Sequence, residues 1–148
     1  MNHSLLLPIA IVALGGAAIA VQGPLNASLS RTIGSPISAT AISFGIGFVV
    51  LAAMALISAG SGPVLRLAEV PLWQLAGGLL GAFYVWSVLS NVATLGVFTT
   101  MAALILGQVV MAMALDRIGA FGLAVQPISP QRLLAAAMVA GGLILSRL

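Results

Sequence analysis

Apolar residues run almost without interruption along this chain, and what breaks them is turn chemistry rather than polar alternation. A window of about 17 to 25 apolar residues is what a helix needs to cross a hydrocarbon core. Five such windows are present, at residues 5–28, 37–59, 72–92, 97–115 and 131–148. Between them stand Gly34-Ser35-Pro36, Gly60-Ser61-Gly62-Pro63, Pro71, and Pro127 with Ser129-Pro130. Ser35 and Ser129 read as N-caps followed by Pro at the first helical position, where its missing N–H is no loss. No charge separates the third window from the fourth, so Asn91 to Gly96 predicts a tight connection. The longest loop lies between Asp116 and Gln131, and its apolar part, 118–125, is suited to the membrane interface. The pattern predicts an all-α integral membrane protein, with residues 1–148 forming a single domain of five transmembrane helices.

Composition removes the alternatives. Apolar residues make up 61% of the chain and charged residues 5%, about a fifth of the usual charged share, so lipid must be the solvent for most of its surface. Five arginines against two acids are too sparse for a nucleic-acid footprint. Cysteine is absent and His3 is the single histidine, so neither a metal site nor a cofactor is expected. A signal peptide is the weaker reading of the N-terminus. Ala18-Ile19-Ala20 resembles a cleavage site, but no basic segment precedes the apolar run, which continues past that site.

Charge also bears on orientation. With a cytoplasmic N-terminus the inside carries Arg66, Arg117 and Arg132, and the outside Arg31 and Arg147. That split gives almost no positive-inside bias. A chain so balanced is suited to insertion in both orientations, and an odd number of spans puts its termini on opposite sides. Two oppositely inserted copies then form a ten-helix antiparallel dimer with the inverted-repeat symmetry of many secondary transporters, whose substrate sites lie near the bilayer midplane.

Polar side chains inside the spans are expensive and ask for a reason. In the first span Gln22 and Asn26 share a helical face, with Gly23-Pro24 between them as a kink that frees a carbonyl. The third span carries Tyr84, Ser87 and Asn91 on one face, with Trp86 as an aromatic wall beside them. The fourth carries Gln108 after Gly107. These six polar residues are the candidate substrate or pathway set, the competing role being to link one helix to another. Small residues spaced by four, including Gly45, Gly77, Gly81 and Gly141, suit close helix packing. Asp116, beside Arg117, reads as a locally paired boundary residue, and no carboxylate lies mid-span. Proton-coupled export of organic cations normally needs one.

The stretch Val21-Gln22-Gly23-Pro24-Leu25-Asn26-Ala27-Ser28-Leu29, continuing through Gly34-Ser35-Pro36 to Ser43-Phe44-Gly45 and Gly47, resembles the opening of the YdcZ-type inner-membrane exporters. This family is a branch of the drug/metabolite transporter superfamily. Gly77 to Val85, and Gly107-Gln108 followed by Asp116, extend the resemblance over nearly the whole chain. It implies a bacterial inner-membrane transporter of five helices, occurring as a dual-topology homodimer, as paired partners or as a fused ten-helix chain. Where the family shows Asp-His-Phe-Gly, this chain has Asp116-Arg117-Ile118-Gly119, so no imidazole role carries over. Relatives among small multidrug exporters place an acid in the first helix. Here that helix has Gln22 and Asn26, so their cation/proton exchange does not carry over either.

Two functions follow as expectations. One is a secondary transporter for a small neutral or anionic metabolite, working by alternating access in the dimer. The other is a non-transporting membrane subunit that stabilises or regulates a partner protein. An enzyme is not expected, because no nucleophile–base pair or metal set exists and Ser87 has no His or Asp near it in sequence.

Overall fold

The computed structural model describes residues 3–146. Arg147, counted above among the outside charges, and Leu148, the end of the fifth window, lie outside the described residues. Among the described residues all regular structure is helical. The chain divides into two compact units, Met1–Ala93 and Thr94–Leu148.

In the first unit α1 (His3–Ile33) packs against α2 (Pro36–Ala59). The first apolar window ends at residue 28, yet α1 continues to Ile33, because a hydropathy window measures depth in lipid and not helix length. Arg31 in its last turn complements the negative end of the helix dipole. The helix stops where Gly34 takes φ 76° and donates its N–H to the Ser30 carbonyl at 2.9 Å. Ser35 then caps α2, accepting from the Ser38 N–H at 3.2 Å, with Pro36 at the first helical turn as the sequence predicts. After α2 the chain makes the one-turn helix α3 (Gly62–Leu65) and two 3-10 turns, Arg66–Glu69 and Leu72–Leu75. Helix α4 (Ala76–Leu95) follows. The third window therefore opens as a 3-10 turn rather than as α-helix, behind Pro71.

The core of this unit is small. Ala39, fully buried, packs with Val85 and Leu89, flanked by Leu29 and Tyr84. Small side chains let the helices approach, while large ones point outward: Ile57 is 86% exposed. Such an inside-out distribution is the arrangement lipid demands.

In the second unit Gly96, at φ 78°, is the one residue between α4 and α5 (Val97–Ile118). Helix α6 (Pro130–Leu145) packs antiparallel on α5. Thr99 Oγ1 lies 3.5 Å from Ser146 Oγ at one end, and Arg132 Nη1 donates to Asp116 Oδ2 at 2.9 Å at the other. The partner of Asp116 is thus Arg132 and not Arg117, because adjacent residues on a helix point about 100° apart. Ser129 caps α6 by accepting from the Arg132 N–H at 3.3 Å. The loop between the two helices folds back on Asp116, whose carbonyl accepts from Gln126 at 2.9 Å.

Among the described residues four helical stretches are long and apolar enough to cross a bilayer: Leu6–Ile33, Pro36–Ala59, Leu72–Leu95 and Val97–Ile118. The fifth window corresponds to α6, which has 16 residues. That is about 24 Å at the helical rise, short of the roughly 30 Å hydrocarbon core.

The α5–α6 loop yields a test. Gly119 and Gly122 both have positive φ, but a Cβ at Gly119 would meet Val125 Cγ2 at 2.8 Å and the Leu123 carbonyl at 3.0 Å, whereas one at Gly122 would meet nothing within 4 Å. Both Ala substitutions carry the left-handed backbone strain, and only Gly119→Ala adds a clash. We expect Gly122→Ala to destabilise by about 1 kcal/mol and Gly119→Ala by about 2–3 kcal/mol, read from thermal unfolding in detergent. Equal effects would contradict the described loop packing.

Candidate functional site

A buried face of α1 recurs every three to four residues: Gly23, Asn26, Ala27 and Ser30. Its polar members lie among small ones, so this side of the helix can pack closely and still present hydrogen-bonding groups. The helix runs through Pro24 without a break. Pro24 has no N–H for the Ala20 carbonyl one turn earlier, and neither Gln22 nor Asn26 bonds there.

Across from this face α4 presents Tyr84, Val85, Val88 and Leu89, which with Ile19, Gln22, Gly23 and Asn26 enclose a cleft of about 10 Å³. That is room for about one water molecule. Asn26 is 8% exposed, and its Nδ2 is buried with no hydrogen-bond partner. Most buried amides in proteins are satisfied, so an orphan donor of this kind is an exception that calls for an explanation. The Gln22 amide and the Tyr84 hydroxyl are also without partners among the described residues. No charged side chain lines the cleft, so its chemistry is that of neutral donors and acceptors beside an apolar wall.

Of the six polar residues singled out from the sequence, Gln22, Asn26 and Tyr84 come together. Ser87 and Asn91 do not join them, because each satisfies its own helix. Ser87 Oγ donates to the Tyr84 carbonyl at 2.7 Å and Asn91 Nδ2 to the Ser87 carbonyl at 2.8 Å. The face of α4 that meets α1 is the apolar Val85, Val88 and Leu89 side, with Tyr84 at its flank. Gln108 lies on α5 in the second unit, exposed and without a partner among the described residues. Trp86 is not a wall of the cleft. Two residues beyond Tyr84, it turns to the other side of α4 and packs against Phe83, the rings tilted by 38° with centroids 5.9 Å apart. Of the four glycines singled out for helix packing, Gly81 alone meets a neighbour, the Phe44 ring at 3.5 Å from an added Cβ, while Gly45, Gly77 and Gly141 face open space.

Two features escape the sequence reading. An open groove of about 500 Å³ between α2 and α4 is lined by Ile37, Thr40, Ala41, Phe44, Ala82, Phe83 and Trp86. It is assembled from helices far apart in sequence, and its one hydroxyl, that of Thr40, donates to the Pro36 carbonyl at 2.9 Å. Ser30 continues the Asn26 face one turn further, and the spacing of four from Asn26 was the signal for it.

The family model described as "Putative inner membrane exporter, YdcZ" matches residues 7–145. The chain is also 30% identical, over 117 residues, to the inner membrane protein YdcZ of Escherichia coli strain K12, an alignment covering 78% of this chain and 77% of that protein. No solved structure matches significantly. With apolar helices of spanning length, an uncharged cleft between two of them and this match over most of its length, the chain belongs to the YdcZ inner-membrane exporter family and is a multi-pass membrane protein.

Proposed function

We propose that this protein is a secondary transporter that exports a small neutral or anionic metabolite by alternating access, and that it works as an antiparallel homodimer of oppositely inserted copies. In this reading residues 1–148 form one five-span domain with α6 as the fifth span, its shortness met by local thinning of the bilayer. Substrate binds at Gln22, Asn26 and Tyr84. The observation that carries the reading is the orphan Asn26 Nδ2, buried against α4. A donor held out of water with nothing to bond is stabilised by any ligand that brings an acceptor, such as a carbonyl or carboxylate oxygen. A cleft the size of one water is a closed state, and admitting a metabolite requires α1 to move away from α4. Gly23 and Pro24 supply the place where α1 can bend. Gly45, Gly77 and Gly141, which meet nothing within one chain, are free to pack against a second copy.

Two measurements follow. Losing one neutral hydrogen bond should weaken substrate affinity by about five- to tenfold, so Asn26→Ala and Tyr84→Phe are expected to do this in proteoliposome counterflow with a metabolite panel. Ser87→Ala and Asn91→Ala, whose parent side chains bond their own helix, should stay within about twofold. The reverse ranking would contradict the site.

Orientation is tested by adding two arginines beside Gly62, which should bias insertion and reduce transport. Coexpression with an oppositely biased variant, carrying extra arginines between α1 and α2, should restore it. Full transport by a uniformly oriented variant would show that antiparallel pairing is not required.

A further inference from the structure

Outside the α1/α4 cleft one mid-span carboxamide has no account. Gln108 lies eleven residues after Val97 and ten before Ile118, at the middle of α5. Its side chain is exposed and bonds nothing among the described residues. Asn91, exposed near the end of α4, donates to its own backbone at 2.8 Å, and Gln74, also exposed, lies at the start of its span and not at its middle. At mid-span the solvent around Gln108 is hydrocarbon, which can satisfy neither its N–H groups nor its carbonyl.

The residues around Gln108 have the spacing of a helix-packing seam. Met101, Gln108 and Leu115 are seven apart, with Ile105 and Ala112 set between them. That is the heptad pattern by which one helix packs along another at a shallow angle, and a single amide in such a seam fixes its register. Arg132 of α6 is met by Asp116, which lies on the adjacent seam with Val109 and Met113. Ala112 borders the same pocket against α6, while Ile105 and Gln108 are exposed and not part of its lining.

We propose that α5 is an interface between two antiparallel copies of this chain, registered by a reciprocal pair of Gln108 amides. A carboxamide carries donor and acceptor side by side, so two of them related by a two-fold axis make two N–H···O bonds with each other. When the axis lies in the membrane plane, only a residue level with it meets its own counterpart. In α5 that residue is the one at the helix midpoint. The inference rests on the antiparallel dimer proposed above, to which it adds the interface and its register.

The chain contains no cysteine, so single cysteines report directly. On oxidation in native membranes, Gln108→Cys should give a disulfide-linked dimer. Met101→Cys and Leu115→Cys, each seven residues from Gln108, should not link to themselves but should link to each other when coexpressed. In detergent, Gln108→Leu should raise the dimer dissociation constant by about three- to tenfold. Self-linking at 101 and at 115 would mean a parallel pair and overturn both the register and the antiparallel reading. Failure to link at 108, while Gly62→Cys is labelled by an impermeant reagent from both membrane faces, would overturn the amide pair alone and leave dual insertion standing. An unchanged dissociation constant for Gln108→Leu would likewise overturn the amide pair.

Discussion

Inside a bilayer no water is available to complete a hydrogen bond, and every polar group in the spans of this protein must be read against that constraint. Several meet it locally. Thr40 and Thr100 donate to the carbonyls one turn earlier in their own helices, at 2.9 and 2.7 Å. Ser87 and Asn91 do the same in α4. Such side chains are structurally quiet, since they ask nothing of a ligand or a neighbour. Among the groups whose needs the single chain leaves unmet are Asn26, buried and unpaired at Nδ2, and Gln108, exposed and unpaired at mid-span. One points into a cleft between helices and the other out of the chain, and the proposed substrate site and the proposed interface follow from that difference.

The same constraint explains the form of the core. With lipid outside, burying large apolar side chains gains little, so helices associate through close approach and dispersion. Ala39 at the centre, with Gly23, Ala27 and Ser30 along α1, is the result. Such an interface is thin, and separating α1 from α4 exposes few large side chains. That suits a protein whose cleft holds about one water when closed and must open to admit a solute.

Much of this was legible in the residues, and the parts that were not have physical causes. Helix positions and the Ser35 and Ser129 caps follow from local chemistry, which one chain segment contains in full. Helix ends were less legible at Ile33, where the helix outlasts the apolar window, and at Leu145, where α6 falls short of a full crossing. In the site, Gln22 and Asn26 were found because their spacing puts them on one face. Tyr84, Ser87 and Asn91 share a face by the same rule, but helical spacing cannot tell a side chain that reaches across from one that bonds back to its own helix. The groove between α2 and α4 and the ion pair of Asp116 with Arg132 depend on tertiary placement, for which a single sequence has no local signal.

The central claim is that Asn26 Nδ2 is an unsatisfied donor which the transported solute completes. The chain has three asparagines, Asn2, Asn26 and Asn91, so asparagine labelled with ¹⁵N at the side chain gives a simple solid-state NMR spectrum in lipid bilayers. Adding a solute that supports counterflow should move the Asn26 amide resonance in the direction of stronger hydrogen bonding and leave Asn91, already held by the Ser87 carbonyl, where it was. A stationary Asn26 signal at saturating solute would contradict the account.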